Sequence, residues 1–92
     1  MKNLETIANA GNTEVPCYLA TQSLGFDFSR INEGEDNEMW IAESSECRFV
    51  ASNQLELLGL IYMRNLRGAE WKASDAEIDV YLKQYYPKAL ES

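Results

Sequence analysis

Three features of this 92-residue sequence predict an α+β fold. Apolar and polar residues alternate with a period of two in the middle of the chain, which is typical of half-buried strands. The C-terminal half places its apolar residues at helical spacing, and glycines and prolines separate the segments. The predicted order is short N-terminal helices, a three-stranded antiparallel β-meander and two packed C-terminal helices. We expect residues 1–92 to form a single acidic domain.

The N-terminal quarter is predicted to form two short helices. The segment from Lys2 to Ala10 places its apolar residues on one face, and Gly11 after it suits a helix end. Val15-Pro16 opens the second helix, because proline fits the first helical turn, and Gly25 ends it. A strand remains the alternative for Val15 to Leu24, since valine, cysteine, tyrosine and threonine are all acceptable in strands.

The central part of the chain predicts the meander. Its strands are expected at Phe26 to Ser29, at Glu38 to Ser44 and at Cys47 to Ala51. Asn32 to Asn37 is a turn by composition, and the short Ser44-Ser45-Glu46 segment forms the second corner. Connections this brief favour antiparallel neighbours.

The first C-terminal helix is predicted to begin after Ser52 or Asn53 and to end near Arg67, before Gly68. Leucines and other apolar residues occur on almost every side of it, so we expect it to be largely buried. Gly59 in its middle costs about 1 kcal/mol relative to alanine. Close packing against another element would explain that glycine.

The last helix begins with a capping box formed by Ser74 and Glu77, and Pro87 marks its end. Its apolar residues form one stripe, which predicts the inner face of a docked helix. We expect Trp71, between the two helices, to fill a corner of the core. The stripe and the neighbouring aromatic residue are Ile78, Tyr81, Leu82, Tyr85 and Tyr86.

The negative charge of the chain is concentrated in one segment. The sequence carries 15 acidic and 8 basic residues, a formal net charge of −7. Six of the acidic residues lie between Ile31 and Cys47, where there is no lysine or arginine. A block of this kind favours a basic partner, although it also suits a solvated hairpin whose charges keep an edge strand from pairing. The six are Glu33, Glu35, Asp36, Glu38, Glu43 and Glu46.

Trp40 lies within the acidic segment, and strand alternation leaves two positions for its ring. If Met39 and Ile41 face the helices, Trp40 is exposed among the acidic residues as a binding anchor. In the opposite arrangement it is buried with Phe28 and Phe49, which is the commoner position of a lone tryptophan in a small domain. We include Trp40 among the candidate partner-binding residues and favour burial.

Composition excludes several classes of function. Without histidine the chain lacks the commonest general base and metal ligand, so we expect no catalytic residue, no metal and no cofactor. The negative charge disfavours binding to a nucleic-acid backbone or an anionic membrane. Cys17 and Cys47 are expected to be reduced thiols of a cytoplasmic protein, since no export signal precedes them.

The leading hypothesis is therefore a small acidic protein that inhibits a basic, nucleic-acid-handling protein or nucleoprotein complex by imitating phosphate charge. In size and charge it is comparable to toxin immunity proteins, antitoxins and phage-encoded inhibitors of host defence, and this comparison is an analogy only. The alternative is a non-enzymatic, self-associating structural or accessory protein, in which the acidic residues serve solubility.

Overall fold

The computed structural model describes residues 3–90, and its architecture confirms the α+β prediction. No helix among these residues has both the length and the apolar character that crossing a bilayer requires. In chain order the elements are a 3-10 turn at Gly11–Thr13, α1 (Glu14–Ser23), β1 (Asp27–Ile31), β2 (Met39–Glu43), β3 (Arg48–Ala51), α2 (Gln54–Arg67), α3 (Asp75–Tyr85) and a 3-10 turn at Pro87–Leu90.

The helical interpretation of Val15 to Leu24 is confirmed, and the strand alternative is wrong. Pro16 lies in the first turn of α1, where its missing N–H costs no hydrogen bond. The other predicted helix is wrong: Lys2 lies outside the described residues, and residues 3–9 form no helix. Leu4 and Ile7 in that segment are largely exposed. A helix of nine residues that buries no apolar face is not stable in water.

The three strands form the predicted antiparallel meander in the order β1-β2-β3. Phe28, Ala42 and Phe49 are directly paired across the sheet and lie on one face. Ser29, Ile41 and Val50 are paired in the next row and therefore lie on the opposite face, because successive strand residues alternate. The sheet thus has one face with alanine and aromatic side chains and a second face of mixed character.

Helix α2 covers the alanine face of the sheet and contacts β2 and β3, while α1 packs against α2. Leu57 and Ile61 are completely buried against Ala42 and Ala51, and half-buried aromatic side chains surround this core. The carboxylate of Glu14 accepts the backbone N–H of Gln54 at 2.9 Å, which joins the start of α1 to the start of α2. The buried side-chain oxygen of Gln54 has no hydrogen-bond partner among the described residues.

Both predicted ends of α2 are confirmed, but the prediction that the helix is largely buried is wrong. Asn53 caps the helix by accepting the Glu56 N–H at 2.9 Å. Only one face of the helix is buried, and Tyr62 and Leu66 on the other side are 48% and 83% exposed. The expected close packing at Gly59 is also wrong, because a Cβ built there would have no neighbour within 4 Å.

The capping box of α3 is confirmed, whereas its predicted burial is not. The Ser74 hydroxyl accepts the Glu77 N–H at 3.1 Å, and the Glu77 carboxylate accepts the Ser74 N–H at 2.8 Å. None of the described α3 side chains is buried. The expectation that Tyr81, Tyr85 and Tyr86 lie in the core is therefore wrong, and Trp71 is partly exposed rather than enclosed.

Replacing Gly59 by alanine should stabilise the protein. The new methyl group meets no neighbour, and alanine favours the helix by about 0.8 to 1.0 kcal/mol over glycine. Urea unfolding monitored by circular dichroism should give a free energy of unfolding higher by about that amount. The control is Gly68→Ala, which should lower it by about 1 to 3 kcal/mol because Gly68 has a φ of 84°. An unchanged or lower stability for Gly59→Ala would show that something packs on this position.

The capping box predicts a dependence of α3 on pH. The pKa of Glu77 is lowered from 4.5 by the Ser74 N–H, then by the Ser74 hydroxyl, and then by the charge of Arg67. The contribution of the ionised carboxylate to stability is therefore complete above pH 4.5 and is lost as the pH falls through the lower pKa of the folded state. NMR shifts of the α3 amides should report this loss. Glu77→Gln should abolish this pH-dependent change of the α3 amide shifts. Glu70→Gln, which lies outside the helix, should retain it.

Candidate functional site

The acidic turn between β1 and β2 is held by its own hydrogen bonds. The Glu35 N–H donates to the Asn32 carbonyl at 3.0 Å, and the Glu38 N–H donates to the Glu35 carbonyl at 3.1 Å. The side-chain amide of Asn32 donates to the Asn37 carbonyl at 3.3 Å and closes the loop across its base. The backbone that carries the carboxylates is therefore ordered by local contacts within the chain.

Arg30 is the cation that ties two of the carboxylates to the end of the sheet. Its guanidinium lies 3.3 Å from the Glu33 carboxylate and 3.2 Å from that of Glu38. The same Glu38 oxygen accepts the Gly34 N–H at 2.9 Å. Arg30 also lies over the ring of Trp40, 5.0 Å from its centre, in a cation–π arrangement. Glu33 and Glu38 thus form part of the frame of the turn.

Glu35 and Asp36 occupy the tip of the turn, where both are exposed. Within residues 3–90 neither carboxylate forms an ion pair. Their negative charge is consequently not cancelled by a neighbouring arginine or lysine, and it faces solvent beside the partly compensated Glu33 and Glu38. These two side chains are the ones most available to a cation from outside the protein.

The other two acidic residues of the segment lie at the opposite end of the sheet. Strand β2 runs from Met39 to Glu43 and separates the two ends by about 13 Å. There Glu43 pairs with Arg48 at 3.4 Å, and Glu46 lies in the corner between β2 and β3. The acidic block is continuous in sequence but divided in space, so Glu43 and Glu46 do not adjoin the turn.

Trp40 lies on the helix-facing side of the sheet, which is the arrangement favoured from the sequence. It is half-buried and shares its side of the sheet with Phe28, Phe49 and the core alanines. Its ring lines a cleft of about 240 Å³ together with Val15 and Tyr18 of α1. Trp40 therefore lies on the side of the sheet that faces α2, and its ring contacts Arg30, which pairs with Glu33 and Glu38 of the acidic turn.

An apolar surface that the sequence analysis did not identify lies beside the acidic turn. On the sheet face opposite α2, Ile31 is paired with Met39 at the strand ends that enter and leave the turn, and Ile41 is paired with Val50 in the row across β2 and β3. Ile31 and Val50 are 47% and 40% exposed, so this face is not covered. We call these four residues the open sheet face. Strand alternation would have predicted this apolar face from the sequence if the face occupied by Trp40 had been known.

The groups that carry most metal and redox chemistry are sparse in the described region. No three histidine, cysteine, aspartate or glutamate side chains among residues 3–90 lie together in a way that suits a metal ion. The two cysteines are free, as predicted, with Cys17 buried in α1 and Cys47 half-buried beside β3. The acidic turn and the open sheet face are thus the distinctive surface features of this part of the molecule.

Comparison of the chain with protein-family models, with curated proteins and with solved structures finds no match. Function is therefore considered from the chemistry of these two surfaces.

Replacing Arg30 by methionine should loosen the acidic turn. The change removes two ion pairs and a cation–π contact, which together are worth about 0.5 to 2 kcal/mol at a partly exposed site. Amide hydrogen exchange measured by NMR should become faster in residues 32–38. Arg48→Met is the matched control, because it breaks the exposed pair with Glu43 and leaves the turn intact. Equal exchange of the turn in both variants would contradict the role assigned to Arg30.

Proposed function

We propose that this protein is a non-enzymatic inhibitor that binds a basic, nucleic-acid-handling protein through the acidic turn and the adjoining open sheet face. The observation that carries the proposal is the position of Glu35 and Asp36. These carboxylates lie at the tip of an internally hydrogen-bonded turn, and the exposed Ile31 lies at the base of the same turn. The turn supplies the charge, and the sheet supplies the apolar area.

The order of the turn favours binding because little conformational entropy remains to be lost. Arg30 and the backbone hydrogen bonds hold the loop before any partner arrives. Ordering a loop on association typically consumes part of the binding free energy, and a loop that is ordered beforehand avoids that loss. The carboxylates at the tip consequently act as a preformed set of acceptors for lysine and arginine side chains.

The charge distribution supports a basic partner. Proteins that handle nucleic acids bind phosphates with clusters of lysine and arginine, and such clusters attract carboxylates for the same electrostatic reason. The net charge of −7 produces a long-range attraction for cations, and Glu35 and Asp36 concentrate negative charge at the tip of the turn. Charge pairs at an interface mainly accelerate association and select the partner.

The apolar residues of the open sheet face supply the second part of the interface. Specific interfaces combine a desolvated apolar centre with a polar rim. Ile31 and Met39 lie at the base of the acidic turn, so a partner that contacts the tip carboxylates would also cover them. Burial of this area would slow dissociation, whereas a purely charged contact would be lost at moderate salt.

Reversing the two tip charges tests the proposal. The tagged protein is used to capture its partner from a native bacterial lysate at low salt, and the captured protein is purified and assayed for nucleic-acid binding. Glu35→Lys with Asp36→Lys should slow association with that protein by about tenfold or more at low salt. It should also relieve the inhibition of nucleic-acid binding. The matched control is Glu5→Lys with Glu70→Lys, which changes the net charge equally at sites away from the turn.

The proposal is contradicted if the two variants behave alike. It is also contradicted if the captured protein is acidic, or if it binds nucleic acid equally well with and without the inhibitor. Capture that persists unchanged in high salt would assign the interaction to apolar contacts alone and remove the role of the acidic turn.

A further inference from the structure

Among residues 3–90, no element covers the apolar face of helix α3, which touches the C-terminal 3-10 turn and reaches α2 through the Arg67–Glu77 ion pair. It contains 11 residues and buries none of its described side chains. Ile78, Tyr81 and Tyr85 on its apolar stripe are 44%, 55% and 62% exposed. Isolated helices of this length are marginal in water, and a helix in a protein is normally stabilised by burial of its apolar face. The stripe, which also includes Leu82, therefore requires a surface to cover it.

The chain as a whole exposes more area than a compact domain of its size. Its accessible surface is 7640 Å², whereas a folded monomer of this mass is expected to expose about 5,400 Å². Its radius of gyration is 16.8 Å against about 12 Å for a compact domain of equal length. The excess of about 2,200 Å² per chain comes from both the exposed segment 3–10 and the uncovered α3, and it exceeds what each protein contributes to a standard interface, about 800 Å².

An uncovered apolar groove lies between the outer edge of β3 and α2. It has a volume of about 360 Å³ and is lined by Phe49, Val50, Leu60, Met63 and Trp71. Strand β3 is an edge strand, and exposed edges are commonly covered by a helix or a loop. Two arginines, Arg48 and Arg64, also line the groove, and no acidic residue does.

The connection between α2 and α3 is held by its own contacts, and no α3 residue lines the groove in the same chain. The Arg67 side chain donates to the Trp71 carbonyl at 2.7 Å and lies 3.8 Å from the Glu77 carboxylate. These contacts fix the connection near the start of α3. The ring of Trp71 itself lines the groove, so the chain passes the groove before α3 begins.

We propose that α3 of one copy lies in the groove of a second copy, and that the exchange is reciprocal in a two-fold symmetric dimer. The charges are complementary, because Asp75 and Asp79 flank the stripe of α3 while Arg64 and Arg48, the latter already paired with Glu43, line the groove. Reciprocal exchange would bury two stripes and two grooves at once, and the exposed face of α3 forms part of the excess surface. This inference goes beyond the proposed inhibitor function. The groove shares Val50 with the open sheet face but includes no residue of the acidic turn, so variants of the tip carboxylates and variants of the α3 stripe test the two proposals separately.

The first test is the mass of the intact protein in solution, measured by sedimentation equilibrium over a range of concentrations. The wild type should show twice the 10.5 kDa mass of one chain. Ile78→Glu with Tyr85→Glu should weaken the dimer by about 100-fold, because two charges would enter an apolar groove. The control is Val80→Glu, which lies on the opposite face of α3 and should leave the dimer unchanged. Since the core includes no residue of α3, thermal unfolding monitored by circular dichroism should remain cooperative in all variants.

A charge exchange provides the second test and does not depend on folding alone. Arg48→Glu with Arg64→Glu should be monomeric, and so should Asp75→Lys with Asp79→Lys, because each places like charges together at both contacts of the dimer. An equimolar mixture of the two should form a mixed dimer, since each groove again receives a helix of opposite charge.

Three outcomes would overturn the proposal. The first is a wild type that stays monomeric at all concentrations. The second is a dimer that Ile78→Glu with Tyr85→Glu and Val80→Glu weaken to the same extent, or that neither variant weakens. The third is the absence of a mixed dimer from the two charge-reversed variants while both remain folded. The variants with altered tip carboxylates should dimerise like the wild type, which separates this proposal from the inhibitor function.

Discussion

Leu57 and Ile61 of α2 lie against Ala42 and Ala51 of the sheet, and the arrangement of α1, α2 and the three strands depends on this contact. Alanine side chains are short, so the helix can approach the strands closely and bury two large aliphatic groups completely. Because the sheet has three strands and α2 occupies one face, the other face stays open. Glu14 then joins α1 to the beginning of α2 by accepting the Gln54 N–H. The small core is covered on one side only, which leaves an apolar sheet face available for binding.

The parts of the fold that the sequence predicted well are those with local physical causes. Asn53 and Ser74 satisfy backbone N–H groups within three residues, so the starts of α2 and α3 are readable without knowledge of the rest of the chain. The meander follows from alternation and short connections. The helix expected at Lys2 to Ala10 had neither a side-chain cap nor a covering element, and spacing alone did not stabilise it.

Burial was harder to predict, because it depends on which elements meet. The apolar residues around α2 suggested a fully enclosed helix, yet Tyr62 and Leu66 face outward, since α3 does not cover that side. Gly59 was explained by close packing, and the structure leaves open space there. A helical stripe identifies the face that needs a partner, but it does not say whether the partner lies in the same chain.

In the candidate site, too, residues that are close in sequence are not all close in the structure. Six acidic residues in one segment suggested one surface, but β2 places Glu43 and Glu46 at the far end of the sheet from the turn. The burial of Trp40 depended on which face of β2 the helices cover. Strand alternation places residues on two faces, but it does not say which face is covered until the helices are placed. The apolar residues Ile31 and Val50 became significant only when the sheet face opposite α2 proved to be uncovered.

The acidic turn and the groove lie in different parts of the sheet, although Val50 belongs to both the open sheet face and the groove. The separation of the turn from the groove has a consequence for binding. The acidic turn follows Ile31 at one end, while Arg48 and Arg64 line the groove toward the other end, near the second corner. In the proposed dimer both acidic turns therefore remain exposed, although each chain contributes its full charge of −7. The repulsion between copies acts over long distances and is screened by salt, whereas the apolar stripe acts at contact. A dimer that presents two acidic turns could engage two basic sites of one nucleoprotein complex, because the second contact would form at a high effective concentration.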